Sequence, residues 1–292
     1  MSAVRAPAAE ELGLPDPPAA VALGRLGRRR DYRRRVLVHL FQLLVVVAFV
    51  GLWEAGSVAH ILDPFFFSEP SQIARNVWGQ VSSGSILPNL AATLEESALG
   101  LAIGAAGGVA VGVLLAQVRV LSEVFDPFIK IANSLPRLVF APLFMLWFGL
   151  GTWSKVWLAV SLVFFLVFFN TFQGIREVQR VLIDNARMLG ASRWQLLRHV
   201  LIPSALSWIF SSLHVSVGFA IIGAVVGEYL GANRGIGYLI AQAQGNFNTT
   251  AVFGGLVILA VVVALVDVLV SRLERRLLRW KPSERRTAQP GA

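Results

Sequence analysis

The feature that most constrains this chain is a series of long apolar runs separated by short segments that hold nearly all of its arginines. A helix needs ~20 residues to cross the hydrocarbon of a bilayer, and the runs fall at about 36–54, 91–116, 137–151, 154–173, 204–229 and 250–271. With 55% of residues hydrophobic and only 15% charged, a soluble core of this size would lack the polar surface to cover it. The expectation is an all-α polytopic membrane protein with six transmembrane helices. The third run is short, and Pro136 and Pro142 predict that it is bent or begins in the interface, an irregularity tolerated where backbone lines a cavity.

Orientation follows from charge. With the N-terminus inside, all but three of the 26 basic residues (Arg75, Lys155 and Arg234) fall in cytoplasmic segments, which places both termini in the cytoplasm. The same adjacency to apolar spans makes membrane orientation, rather than nucleic acid, the reason for a net charge of +9. The chain divides into a basic, partly disordered cytoplasmic tail at 1–35, a six-helix transmembrane domain at 36–271 and a basic cytoplasmic tail at 272–292. A long signal peptide is the alternative for the N-terminus, but the apolar stretch beginning at Val36 outlasts a signal h-region and favours an uncleaved first span. There are no cysteines, so thiol chemistry and thiolate metal sites are excluded.

The segment 177–203 is too charged to span, yet it has helical periodicity. It predicts a helix pair on the cytoplasmic side. The first helix runs to about Leu189 and stops at Gly190, which tolerates the positive φ that ends a helix. The second starts at Ser192, which with Gln195 has capping-box spacing. Ala186 and Gly190 share a face and make a small, shallow surface, Trp194, Leu196 and Leu197 supply apolar contacts, and Pro203 permits a new helix to begin.

Other signals are weaker. Gly100, Gly104, Gly108 and Gly112 strip one face of the second span for close helix packing, either within the chain or between copies. Span five carries Ser204, Ser207, Ser211, Ser212, His214 and Ser216, some facing an interior and others bonding their own backbone. Ser134 and Pro136, near the expected break, and Ser212, Ser216 and Glu228 are candidate residues of a translocation path. Glu228, at the outer end of span five, either gates the path or anchors the Gly-rich loop that follows. His214 is a lone histidine and reads as satisfied or cavity-facing. No Gly-Lys-Ser/Thr is present, because Lys130, Lys155 and Lys281 follow Ile129, Ser154 and Trp280, so nucleotide cannot be held by a P-loop.

At the helix pair the sequence resembles the permease subunits of ABC importers, whose cytoplasmic loop reads E-A-A-x3-G-x9-I-x-L-P. Here Asp184-Asn185-Ala186, Gly190, Val200, Ile202 and Pro203 occupy those positions, and Asn185 departs from the family's small residue. The resemblance implies a type I importer permease fold and a loop (Asp184, Asn185, Ala186, Gly190, Ala191, Ser192 and Pro203) that docks on a separate ATPase. It spans roughly 36–281 and is nearest to the nitrate, sulfonate, taurine and bicarbonate group. The residues that carry it are Asn133-Ser134-Leu135-Pro136, Pro142-Leu143, the run from Leu146 to Gly151, Gly227-Glu228, and Gly235-Ile236-Gly237-Tyr238-Leu239.

The resemblance implies two ATPase subunits that bind ATP and Mg, a periplasmic or lipid-anchored solute-binding protein, a second permease copy, and no cofactor or catalytic residue on this chain. The stretch 244–249 also resembles importers of thiamine-precursor pyrimidines or aromatic acids. An ion-coupled secondary transporter is the alternative of a different class, but it would want ionisable groups at mid-membrane. A membrane enzyme would want clustered histidines and carboxylates, which His39, His60, His199 and His214 do not supply.

Overall fold

The computed structural model describes residues 17–277, and every regular element in that range is helical. The chain forms two compact units, Met1–Pro70 and Ser71–Ala292. In the first, α1 (Pro17–Val58) carries the first span at its C-terminal end, and α2 (Pro64–Phe67) follows a tight turn. The turn is fastened by Ser57 Oγ, which donates to the Ser68 carbonyl at 2.9 Å, and by Asp63 Oδ1, which accepts the Phe65 N–H at 2.9 Å. From Pro17 onward the expected N-terminal tail is helical, whereas its first sixteen residues, and residues 278–292 of the C-terminal tail, lie outside the described range.

The second unit comprises α3 (Pro70–Ser82), α4 (Leu87–Gln117), α5 (Arg119–Ser134), a 3-10 turn (Arg137–Phe140), α6 (Ala141–Phe148), α7 (Thr152–Arg176), α8 (Arg180–Met188), α9 (Arg193–Leu196), a π turn (Leu197–Leu201), α10 (Ile202–Gly231), α11 (Ile236–Gly245) and α12 (Thr249–Leu277). Its centre is α7, packed between α4 and α10. Val163, Val167 and Ala220 form the contact midway along, and Ile175, Ala205 and Ile209 form it nearer the end that leads to α8.

The glycine stripe of α4 serves packing within the chain. A Cβ on Gly108 would lie 2.7 Å from the Phe164 carbonyl oxygen and 2.9 Å from the Phe168 nitrogen, and one on Gly112 would lie 2.8 Å from Thr171 Cβ. α10 approaches α7 in the same way, where a Cβ on Gly223 would lie 2.6 Å from Ala159 Cα. Apolar side chains gain little by leaving lipid for protein, so such helices are held by close approach of their backbones, which small residues permit. Gly108→Ala is therefore expected to destabilise the unit by about 1–3 kcal/mol, seen as a lower melting temperature in detergent. Gly107→Ala, whose Cβ would meet only the Phe164 ring at 3.4 Å, serves as the near-neutral control.

The third span is bent at Pro136, one of the two outcomes expected there, but it is longer than the expected 137–151 because α5 precedes the bend. α5 and the segment Arg137–Phe148 meet at 83° across Leu135 and Pro136, which are extended. Among the described residues five helices are long and apolar enough to cross a membrane, and six spans result if this bent pair counts as one. The break has a local cause: Pro136 removes a backbone donor and disfavours helical backbone at Leu135.

Candidate functional site

At the start of α10 the chain makes the expected elbow. α8 ends at Leu189, and Gly190 takes φ +81°. The Ala191 N–H donates to the Ala186 carbonyl at 3.0 Å and the Gly190 N–H to the Arg187 carbonyl at 2.9 Å. These are the two bonds of a Schellman ending, and they satisfy carbonyls a helix would otherwise leave open. α9 begins with a complete capping box, in which Ser192 Oγ accepts the Gln195 N–H at 3.3 Å and Gln195 Oε1 accepts the Ser192 N–H at 2.8 Å. A finished helix end thus meets a finished helix start, which fixes the shape of the bend.

Past α9 the helix does not restart at Pro203, as the sequence suggests; it continues. The π turn carries it into α10, with the Ile202 N–H bonded to the Leu197 carbonyl. A proline clashes with the carbonyl one turn back and cannot bond to it, and the wider π turn absorbs that conflict without ending the helix. Leu196 and Leu197 are buried as expected, but Trp194 is exposed, as are Met188 and Leu189 at 84% and 89%. Asp184, Asn185, Gly190 and Ser192 are exposed, and Ala186, Ala191 and Pro203 are half-buried.

At the other end of α10 lies a cluster of buried charges. Glu228 Oε1 accepts the Thr93 hydroxyl at 2.7 Å, and Oε2 accepts the Gly237 N–H at 2.8 Å. Thr93 Oγ1 accepts the Ile236 N–H at 2.9 Å, and Asn89 Oδ1 accepts that of Gly235 at 2.9 Å. The first N–H groups of α11 are thus held by side chains of α4 and α10, with a carboxylate at the electropositive helix start. Gly235, at φ +114°, and Gly237 are needed there because a Cβ on either would strike Glu228. Lys155 Nζ donates to the carbonyls of Leu150, Gly151 (3.1 Å) and Gly231 (2.7 Å), capping the C-terminus of α10. Glu96 neighbours both Glu228 and Lys155, and all three are 2% exposed or less.

Of the path candidates, Ser134 and Pro136 are exposed at the α5–α6 break. Ser212 and Ser216 instead face the packed interior: Ser212 bonds its own backbone at Ile209 (2.7 Å), and Ser216 Oγ is buried without a protein partner. Glu228 holds the loop after α10, so the anchoring role is the one its geometry favours. His214 pairs with Asp267 at 3.2 Å. The sequence reading missed Thr93, Asn89, Glu96 and Lys155, which looked like residues near span ends, and it grouped Arg137 with the cytoplasmic charges. Arg137 in fact lies across the Phe165 ring, 4.4 Å from its centroid, near the middle of α7.

This core of spanning helices, with an elbow projecting at one end and a locked loop at the other, defines a membrane transport subunit of the type I ABC importer permease fold. The chain belongs to the family described as "Binding-protein-dependent transport system inner membrane component", matched over residues 108–279. In that family the membrane subunit is the transport component, and ATP hydrolysis is the work of a separate subunit. The chain is 34% identical over 241 residues to a putative aliphatic sulfonates transport permease of Bacillus subtilis, covering 82% of this chain and 87% of that one. It is 30% identical over 256 residues to the formylaminopyrimidine transport permease of Halalkalibacterium halodurans, covering 88% and 100%. Its fold is similar to that of the MetNI methionine ABC transporter in inward-facing conformations, with a TM-score of 0.58 at 22% identity, covering 65% of this chain and 95% of that one.

Proposed function

We propose that two copies of this chain form the translocation path of an ATP-driven importer for a small organic or inorganic anion of the sulfonate, taurine or nitrate type. A periplasmic or lipid-anchored binding protein delivers the solute. Two ATPase subunits, carrying the ATP and Mg, dock on the elbows formed by Asp184, Asn185, Ala186, Gly190, Ala191 and Ser192. Both termini then lie in the cytoplasm, on the elbow side, and Ser134 and Pro136 border the path. Glu228, Ser212 and Ser216 act behind it by holding the helices that form its wall.

The observation that carries this reading is the doubly capped elbow running without a break into α10. A flexible loop would absorb a push from the ATPase, whereas a bend closed by a Schellman ending and a capping box transmits it. Met188 and Leu189, exposed among the described residues, give the partner groove its contact. The formylaminopyrimidine relative supports a second reading, the same machine carrying a heteroaromatic solute.

The test is reconstitution in liposomes with the ATPase and binding protein of the same operon. The expected result is uptake that requires both partners and stops with a non-hydrolysable nucleotide. Uptake that persists without the ATPase would overturn the importer reading in favour of an ion-coupled transporter.

A further inference from the structure

We infer that Arg137, at the break in the third span, is the residue that recognises the acid group of an anionic solute in transit. The inference rests on the importer reading above and adds a residue and a charge preference to it.

The first observation is depth. The guanidinium stacks on Phe165, close to the midpoint of the α7 span, and so lies where lipid headgroups do not reach. The second is the backbone beside it. Leu135 and Pro136 are extended, and Ser134, Leu135 and Pro136 are exposed on the surface of the chain. Backbone groups outside a helix cannot face hydrocarbon, since nothing there bonds them; at this depth they border water or protein. The break therefore opens toward the path or toward the second copy that helps to enclose it.

The third observation is the missing counter-charge. Lys155 and Glu228 are matched, Lys155 by three carbonyls and the neighbouring carboxylates Glu96 and Glu228, Glu228 by Thr93 and Gly237. Among the described residues Arg137 has only neutral partners. Its Nη2 donates to Asn133 Oδ1 at 2.7 Å and to the Asn133 carbonyl at 3.4 Å, and its Nε is buried with no acceptor. A cation held against an aromatic ring with an unused donor calls for an anion.

A guanidinium suits that task. Its planar fork binds two oxygens of a sulfonate, carboxylate or nitrate at once, and Phe165 and Asn133 hold the fork in place without neutralising it. Two copies would present two such groups to one passing solute, enough to favour an anion over a neutral molecule of equal size. A carboxylate of the second copy is the competing occupant.

The experiment uses the complete reconstituted transporter with ethanesulfonate and formylaminopyrimidine as probes, comparing wild type with Arg137→Gln and Arg137→Lys. Arg137→Gln is expected to lower kcat/KM for ethanesulfonate uptake by about tenfold or more, and Arg137→Lys to recover a substantial part of it. Ethanesulfonate uptake within twofold of wild type in Arg137→Gln would overturn the inference, even with ATP dependence intact. Import of formylaminopyrimidine alone by the wild type would overturn it too, as would equal collapse of complex assembly in both variants, the result expected if Arg137 pairs with a carboxylate of the second copy. ATP-independent uptake would instead sink the importer reading, and the ratio of variant to wild type would still judge Arg137.

Discussion

Replacing Gly190 by tryptophan is expected to leave the folded permease in the membrane and to abolish solute-stimulated ATP hydrolysis by its partner. Two effects meet at this residue and can be separated. At φ +81° any L side chain is strained by about 1–2 kcal/mol, and alanine and tryptophan share that penalty. A Cβ there meets nothing within 4 Å among the described residues and Gly190 is exposed, so a side chain at this position starts into open space. Gly190→Ala should therefore keep most of the coupled activity, and the further loss in Gly190→Trp measures bulk placed in the partner's groove. Coupled hydrolysis at the wild-type rate in the tryptophan variant would refute docking at the elbow.

The largest loss of stability is expected from Lys155→Met. The ammonium donates to three carbonyls and stands beside Glu96 and Glu228 in a region with no access to water. Removing one partner from a buried set of charges costs about 3–5 kcal/mol, a large fraction of the stability of a membrane domain. The variant should be nearly absent from membranes at growth temperature, measured as the folded fraction on detergent extraction. Adding Glu96→Gln should restore part of it, since this removes a charge whose Oε2 has no partner. Glu228→Gln should restore less, because both Glu228 oxygens accept hydrogen bonds and an amide, with one acceptor oxygen, keeps only one of them. Equal rescue by the two would show that charge alone, not the hold on α11, governs the cluster.

What was legible in the sequence was what neighbouring residues decide. Gly190, Ser192 and Gln195 encode the elbow within a few positions, and the structure forms every bond that their spacing implies. The glycines of α4 announced close packing through their periodicity, but only the structure names α7 as the partner, because a stripe carries no address. The buried cluster was illegible for a related reason: Thr93, Lys155 and Glu228 come from three helices, and each alone resembles a polar residue at a span end. The stacking of Arg137 on Phe165 was illegible too, because hydropathy marks where an apolar run begins, not which helix a side chain at a break lies against. The π turn was hidden as well, since a proline in sequence signals a boundary whether or not the backbone widens to keep going.

The helix from residue 193 to 231, kept continuous by its π turn, gives the proposed importer a single mechanical variable. At ~1.5 Å per residue it is a spar of nearly 60 Å, clamped at its far tip by Lys155 and tied to α11 through Glu228. Turning as one piece, such a spar sweeps its tip by about 10 Å for a tilt of ~10° at the elbow. In that importer, nucleotide state at one end and solute access at the other would be geared together by stiffness, without any relay of side chains between them.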